Sequence, residues 1–214
     1  MNTLKTRQPF KAIFFDWDNT LVDTWPIIFK ASNAALKHFG LPQATLEEIK
    51  IRARLSTREG FPKLFGKNWK EAQAVFYQTI FENKTNIKLY EGACASLHGL
   101  KKSGYPVAII SNKKRELLHE EIELLKVPCD FILGSGDSLH DKPHPEMGVI
   151  ALKHFGLQPY EAVYIGDSVT DWVFAKNLNM PAIAIGDEVY DGPLLARFDT
   201  VNESVKKLLE YPAT

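Results

Sequence analysis

From residue 90 onward, short apolar runs alternate with segments of helical periodicity. Residues 105–110 (YPVAII), 130–133 (DFIL), 162–165 (AVYI) and 181–185 (PAIAI) read as strands buried on both faces of a parallel sheet. Residues 12–15 (AIFF) form a further run of the same kind. Segments 113–126, 145–155 and 168–178 carry apolar residues at helical spacing between them. This alternation predicts an α/β fold, a doubly wound parallel sheet of Rossmann-like design with helices on both faces.

The stretch from about residue 24 to 89 breaks the pattern. It lacks a convincing strand and contains amphipathic runs at 26–39, 46–55, 61–65 and 69–82, punctuated by Gly40, Pro42, Gly60 and Gly66. The expected division is therefore a core of 1–23 and 89–214 interrupted by a helical domain, 24–88. Helices laid directly on the sheet are the alternative, but four in succession exceed what one crossover needs.

Composition narrows the function classes. The 214 residues are 45% hydrophobic and 24% charged, ordinary for a globular chain, with 26 basic residues balancing 26 acidic ones. No field of one sign exists to draw the protein to nucleic acid or an anionic membrane. Cys94 and Cys129 lack CxxC or ligand-like spacing and read as free thiols. The N-terminal MNTLKTRQPFK has no apolar signal core, and the apolar runs are too short to span a bilayer. A soluble protein of a reducing compartment is expected, most simply the cytoplasm.

Four short stretches carry candidate chemistry. In FFDWDNTLVDT, a strand ends in Asp16, with Asp18, Asn19 and Thr20 following. Ligands of parallel α/β sheets bind beyond the carboxyl ends of the strands. Two carboxylates one residue apart there can divide labour, one as nucleophile or metal ligand, the other exchanging protons with a leaving group. Asn19 suits a tight turn in left-handed backbone; a polar loop with Asx turns is the plainer alternative. Ser111 and Asn112 follow the 105–110 strand, where a hydroxyl and free amides at a helix N-terminus would bind an anion or merely cap the helix. Lys142, in HDKPHPE, sits beside prolines on a stiffened loop, a point charge suited to phosphate unless it is a surface lysine. Its neighbours His140 and His144 receive no role. In GDSVTD, Asp167 ends the 162–165 strand and Asp171 lies one helical turn on, hard oxygens suited to Mg²⁺, although Asp167 or Ser168 could be only a cap.

The ordered set DWDNT, helical insertion, SN, KPHPE and GDSVTD resembles the haloacid dehalogenase superfamily, specifically its phosphatases with a helical cap of the phosphoglycolate phosphatase kind. The resemblance spans residues 12 to about 187. It implies that Asp16 is the nucleophile, carrying an aspartyl-phosphate, and that Asp18 protonates the leaving alkoxide and then activates water. It further implies that Ser111 and Asn112 bind phosphate oxygens and that Lys142 compensates charge on nucleophile and phosphate. Mg²⁺ would be held by Asp16, the Asp18 carbonyl and Asp167, with Asp171 supporting the metal shell or orienting Lys142. Two residues depart from the family pattern: Asn19 stands where Gly is usual, and Trp17 is bulkier than the common Phe or Leu.

The implied function is Mg²⁺-dependent hydrolysis of a small phosphorylated metabolite by a monomer or homodimer. A phosphosugar mutase and a haloacid dehalogenase are the alternatives within the superfamily. A dehalogenase needs neither Mg²⁺ nor a second acid, and a receiver-like signalling module would lack the helical insertion. A nucleotide-binding enzyme would need GxxxxGK[ST], which is absent. In the cap, Arg52, Arg54, Thr57, Arg58 and Lys63 form a basic cluster, with Arg54 and Arg58 the candidates to pair a substrate carboxylate; a solvated helix face is the alternative. Trp25, Phe61 and Trp69 would line a pocket or belong to the core.

Overall fold

The computed structural model describes residues 10–210; the polar N-terminal residues 1–9 lie outside them. In chain order the elements are β1 (Ala12–Phe15), β2 (Val22–Asp23), α1 (Trp25–His38), α2 (Leu46–Arg52), α3 (Thr57–Phe65), α4 (Trp69–Asn83), β3 (Lys88–Leu89), α5 (Ala93–Lys102) and β4 (Val107–Lys114). There follow α6 (Arg115–Leu125), β5 (Phe131–Ser135), α7 (Glu146–Phe155), β6 (Ala162–Gly166), α8 (Val169–Leu178), β7 (Ala182–Ile185), β8 (Ala196–Phe198) and α9 (Val201–Leu209).

Six strands form a parallel sheet in the order β5-β4-β1-β6-β7-β8. β1 lies inside it, and all four of its residues are fully buried. Strand residues alternate between faces, so both sides of such a strand must be covered. Ala12, Phe14, Ala108, Ile110, Ala162 and Tyr164 pack with Met147, Ala151, Trp172 and Phe174 of α7 and α8. The intervening Ile13, Phe15, Ile109, Val163 and Ile165 are equally buried. From β1 the chain moves outward to β4 and β5, then returns to β6 on the other side of β1. The winding therefore reverses between β1 and β6, and their carboxyl ends bound the crevice where this architecture places ligands.

The chain separates into two compact units, one running to Val22 and resuming at Leu89, the other Asp23–Lys88. The second is helical. Leu36, Ala44 and Ile49 form its small core with Ile28 and Phe65, and Asn33 pairs reciprocally with the main chain of Ala44 at 2.8 and 3.0 Å. A capping box on Thr45 and Glu48 starts α2. Gly60 falls inside α3 rather than between helices, because the helix begins after Ser56, earlier than the glycine suggested. Both cysteines are free. Among the described residues, no helix is long and apolar enough to cross a membrane.

Candidate active site

Asp16 follows β1 directly, and its N–H still donates to the carbonyl of Ile165 at 2.9 Å, so the loop leaves the sheet from a pinned position. Beyond it the chain turns sharply. Asn19 adopts φ +63°, the left-handed backbone that asparagine tolerates better than most residues. Leu21 and Val22 donate back to the carbonyl of Trp17 at 3.0 and 3.2 Å.

Lys142 reaches into this turn from the loop before α7. It is 2% exposed, and its ammonium donates to Asp16 Oδ1 at 2.6 Å, Asp171 Oδ1 at 2.7 Å and the Tyr164 hydroxyl at 2.9 Å. An ammonium has three N–H groups, so all are engaged within the protein. Tyr164 passes its own hydrogen to the carbonyl of Ile110 at 2.7 Å. Asn112 clamps the lysine backbone: its amide donates to the Lys142 carbonyl and accepts from the Lys142 N–H, each at 2.8 Å.

Asp167 and Asp171 come from β6 and α8. Ser168 caps α8 in a reciprocal capping box with Asp171, whose Oδ2 accepts from the Ser168 N–H at 3.1 Å and hydroxyl at 2.6 Å. Both oxygens of Asp171 are thereby committed to the protein. Asp167 Oδ1 accepts from Thr20 at 2.9 Å; the same hydroxyl lies 3.5 Å from Asp16 Oδ2, a marginal distance. Carboxylate oxygens of Asp16, Asp167 and Asp171 gather within 4.8 Å of one another.

Three carboxylates facing one ammonium leave an excess of negative charge in a buried place. Burial pushes the Asp16 carboxyl up to about 7, Lys142 opposing the rise while Asp171 and Asp18 add to it. Asp167 is held well above its ordinary range by burial and then by Asp171 and Asp16. Burial lowers the Lys142 ammonium's affinity for its proton, but Asp16 and Asp171 outweigh this and hold it well above the usual lysine value. A hard cation would relieve the excess. Mg²⁺ takes one or two carboxylates and completes its shell with waters and phosphate oxygens, and Asp16 and Asp167 are the two not already consumed.

The structure thus brings Asp16, Lys142, Asp167 and Asp171 into one cluster and sets Asp18 beside it on the same turn. Ser111 is buried, and its hydroxyl accepts from the Lys113 N–H at 3.2 Å. Ser111 and Asn112 do not stand at a helix N-terminus: β4 continues through a register shift to Lys114, and α6 begins only at Arg115. Gly134 permits this close passage, since a Cβ there would sit 2.7 Å from the Cα of Arg115. Asn112 spends one amide N–H and its Oδ1 on the Lys142 main chain and retains a second N–H. Arg54 lies exposed in the turn after α2, and Arg58 is partly exposed in the first turn of α3.

Sequence reasoning missed Thr20, Tyr164, Lys113 and Glu121. Tyr164 carried a signal, a hydroxyl inside an otherwise apolar strand, which must find a buried partner. Lys113 and Glu121 carried none beyond helical charge patterning. In the structure Lys113 is buried between Asp18 Oδ1 at 2.6 Å and Glu121 Oε2 at 2.9 Å.

Comparison with known proteins agrees with this architecture. Residues 13–185 match the family model for haloacid dehalogenase-like hydrolases. A phosphoglycolate phosphatase of Chromobacterium violaceum is 30% identical over 204 residues, covering 90% of this chain and 92% of that protein. The pyrophosphatase PpaX of Bacillus mycoides is 27% identical, over 81% of this chain and 82% of its own. The crystal structure of a hydrolase from Pseudomonas syringae superposes with a TM-score of 0.83 at 19% identity, covering 95% of this chain and 100% of that one.

Proposed function

The chain belongs to the haloacid dehalogenase-like hydrolases, and from that premise we propose that it is a Mg²⁺-dependent phosphatase, cleaving a small phosphate monoester through an aspartyl-phosphate on Asp16. The observation that carries the proposal is the buried contact of Lys142 with Asp16 and Asp171 inside a three-carboxylate cluster at the winding reversal. Relatives named for phosphoglycolate, an ester, and for pyrophosphate, an anhydride, support a small phosphorylated substrate without choosing one.

In this reading the Asp16 carboxylate attacks phosphorus, the bond to the leaving oxygen breaks, and Asp18 delivers the proton that oxygen needs. Asp18, now ionised, takes a proton from a water molecule that attacks the phosphorylated Asp16, releasing inorganic phosphate and restoring the carboxylate. Lys142 stabilises the ionised nucleophile and the charge developing on the phosphoryl oxygens, acting through space because its N–H groups are engaged. Ser111 and Asn112 are the candidates for phosphate oxygens, the second through the amide N–H that its clamp on Lys142 leaves over. Asp16, the Asp18 carbonyl and Asp167 would hold Mg²⁺, and Asp171 positions Lys142. Bound there, Mg²⁺ supplies charge neutralisation and orients the phosphate.

By the family resemblance the helical unit selects the leaving group, with Arg54 and Arg58 as candidates; Arg54→Ala and Arg58→Ala should then alter preference within a substrate panel. A dehalogenase would have no use for the acidic cluster. The deciding assay measures phosphate release from p-nitrophenyl phosphate, 2-phosphoglycolate, pyrophosphate and sugar phosphates, with and without Mg²⁺. Turnover should require Mg²⁺ and vanish in Asp16→Asn. A folded wild-type protein inactive on every ester would remove the proposal and direct attention to haloacids and phosphosugar isomerisation.

A further inference from the structure

Between the two aspartates of the nucleophile loop stands Trp17, fully buried, its indole N–H donating to Glu121 Oε2 at 2.7 Å. The same oxygen accepts from Lys113 Nζ at 2.9 Å, and Lys113 Nζ also donates to Asp18 Oδ1 at 2.6 Å. Two consecutive loop residues are therefore tied to one carboxylate on α6, Trp17 directly and Asp18 through a lysine near the end of β4. Neither Lys113 nor Glu121 belongs to the carboxylate cluster, and the chemistry set out above does not use them.

The arrangement is an expensive way to fill space. Glu121 is 1% exposed, and its second oxygen, Oε1, is buried without a hydrogen-bond partner among the described residues. A buried unpaired oxygen is costly, and apolar residues of similar volume often replace buried ion pairs at no loss of stability. Such a group calls for an explanation other than packing. What the network does accomplish is geometric. Lys113 takes Asp18 Oδ1 from a buried position, and no hydrogen bond to Oδ2 is formed among the described residues, so the carboxylate is held in one orientation with one oxygen uncommitted. Proton transfer by a side chain depends on such placement, and an error of about 1 Å can cost on the order of a hundredfold in rate.

We propose that Lys113, backed by Glu121 and Trp17, is a positioning residue that aims the Asp18 carboxyl at the leaving-group oxygen. The proposal rests on the phosphatase reading and on the acid role of Asp18 within it. It makes the brace matter in proportion to the leaving group's need for a proton. Nitrophenolate departs unaided; an alkoxide does not.

The test compares kcat/KM for p-nitrophenyl phosphate and for the best alkyl phosphate of the panel, in wild type, Asp18→Asn, Lys113→Met and the double variant Lys113→Met/Glu121→Gln. The double variant carries no orphaned charge, and its glutamine oxygen can still accept from Trp17, so it guards against misfolding of the single one. Thermal melting by circular dichroism establishes folding. Asp18→Asn should lose far more activity on the alkyl ester than on the nitrophenyl ester. Both Lys113 variants should show the same pattern in weaker form, a loss of roughly 10- to 100-fold on the alkyl ester and less than about threefold on the nitrophenyl ester, in kcat rather than KM. Equal losses on both esters, no loss on either, or failure of both variants to fold would overturn the brace. If Asp18→Asn itself fails to discriminate, or wild type cleaves neither ester, the acid assignment or the phosphatase reading falls first and the brace falls with it. Discrimination in Asp18→Asn without any in the Lys113 variants refutes the brace alone.

Discussion

The carboxylate cluster makes an unusual claim on stability. A carboxyl whose affinity for a proton is greater in the folded chain than in the unfolded one stabilises the fold while protonated. That contribution is complete below the unfolded-state pKa and lost as pH rises through the folded-state value. Asp16 moves from an ordinary 3.8 to about 7, driven first by burial. In the metal-free protein its contribution should therefore disappear between about pH 4 and pH 7. At about 1.36 kcal/mol per pH unit, the displacement is worth roughly 4 kcal/mol, a large share of the 5–15 kcal/mol typical of a domain. Asp167 is displaced in the same direction. Asp16→Asn isolates the effect, because asparagine resembles the protonated acid and can still accept from Lys142.

The assay is urea unfolding of both proteins at several pH values from 4.5 to 8, in EDTA and in excess Mg²⁺. In EDTA the two should be about equally stable at the acid end, with wild type falling behind by a few kcal/mol near neutrality. Mg²⁺ should restore wild type chiefly at the neutral end, where the carboxylates are ionised, and should do far less for Asp16→Asn. If the difference between the proteins in EDTA stays flat with pH, or if wild type gains on the variant as pH rises, the picture of uncompensated buried charge is wrong.

Three further perturbations act on the supports of the cluster. Lys142→Met removes the ammonium shared by Asp16 and Asp171 and should lower stability at pH 7 by about 3–5 kcal/mol in urea titrations, with phosphate release abolished. Gly166→Ala would place a Cβ 2.5 Å from Asp171 Cγ and 2.6 Å from its Cβ, so Asp171 must move and release Lys142; a loss of at least 1–3 kcal/mol is expected by thermal melting, with activity falling more steeply than stability. Asn112→Ala strips both partners from the Lys142 main chain and should cost about 1–3 kcal/mol for each group left unpaired while impairing kcat, whereas Asn112→Asp, which keeps only the acceptor, should recover part of the loss in the same assays.

The sheet was legible because its strands are buried on both faces and must be nearly continuous in apolar residues, as AIFF, YPVAII and AVYI are. The elements that escaped notice are those whose signal is divided. α5 reads ACASLHGLKK, with Gly99 and small residues diluting the Ala93, Leu97 and Leu100 stripe that it buries. β8 is three half-buried residues, which only their pairing with β7 makes a strand. α9 is short, and its buried Val201, Val205 and Leu208 are interrupted by charge. Asp16, Lys142, Asp167 and Asp171 were recognisable from their places after strands and before helices. What each of them touches was not. Lys113 opens what reads as an exposed basic segment, and only the 95-residue closure onto Asp18 turns it into a buried group.

Hydrogen bonding also makes the three acidic side chains of the cluster unequal although their chemistry is the same. Asp171 gives Oδ2 to Ser168 in the cap of α8 and Oδ1 to Lys142, so a ligand there would compete with one or the other. Asp167 gives one oxygen to Thr20. Asp16 gives Oδ1 to Lys142 and keeps Oδ2 with only a marginal contact to the same threonine. Asp16 and Asp167 are therefore more available than Asp171, a difference set by hydrogen bonds rather than by residue type. The proposed nucleophile and the proposed metal ligand each keep one oxygen without a close partner, whereas the acid of the helix cap has both engaged. Reassigning these roles by mutation should demand changes in the partners, Thr20, Ser168 and Lys142, rather than in the aspartates themselves.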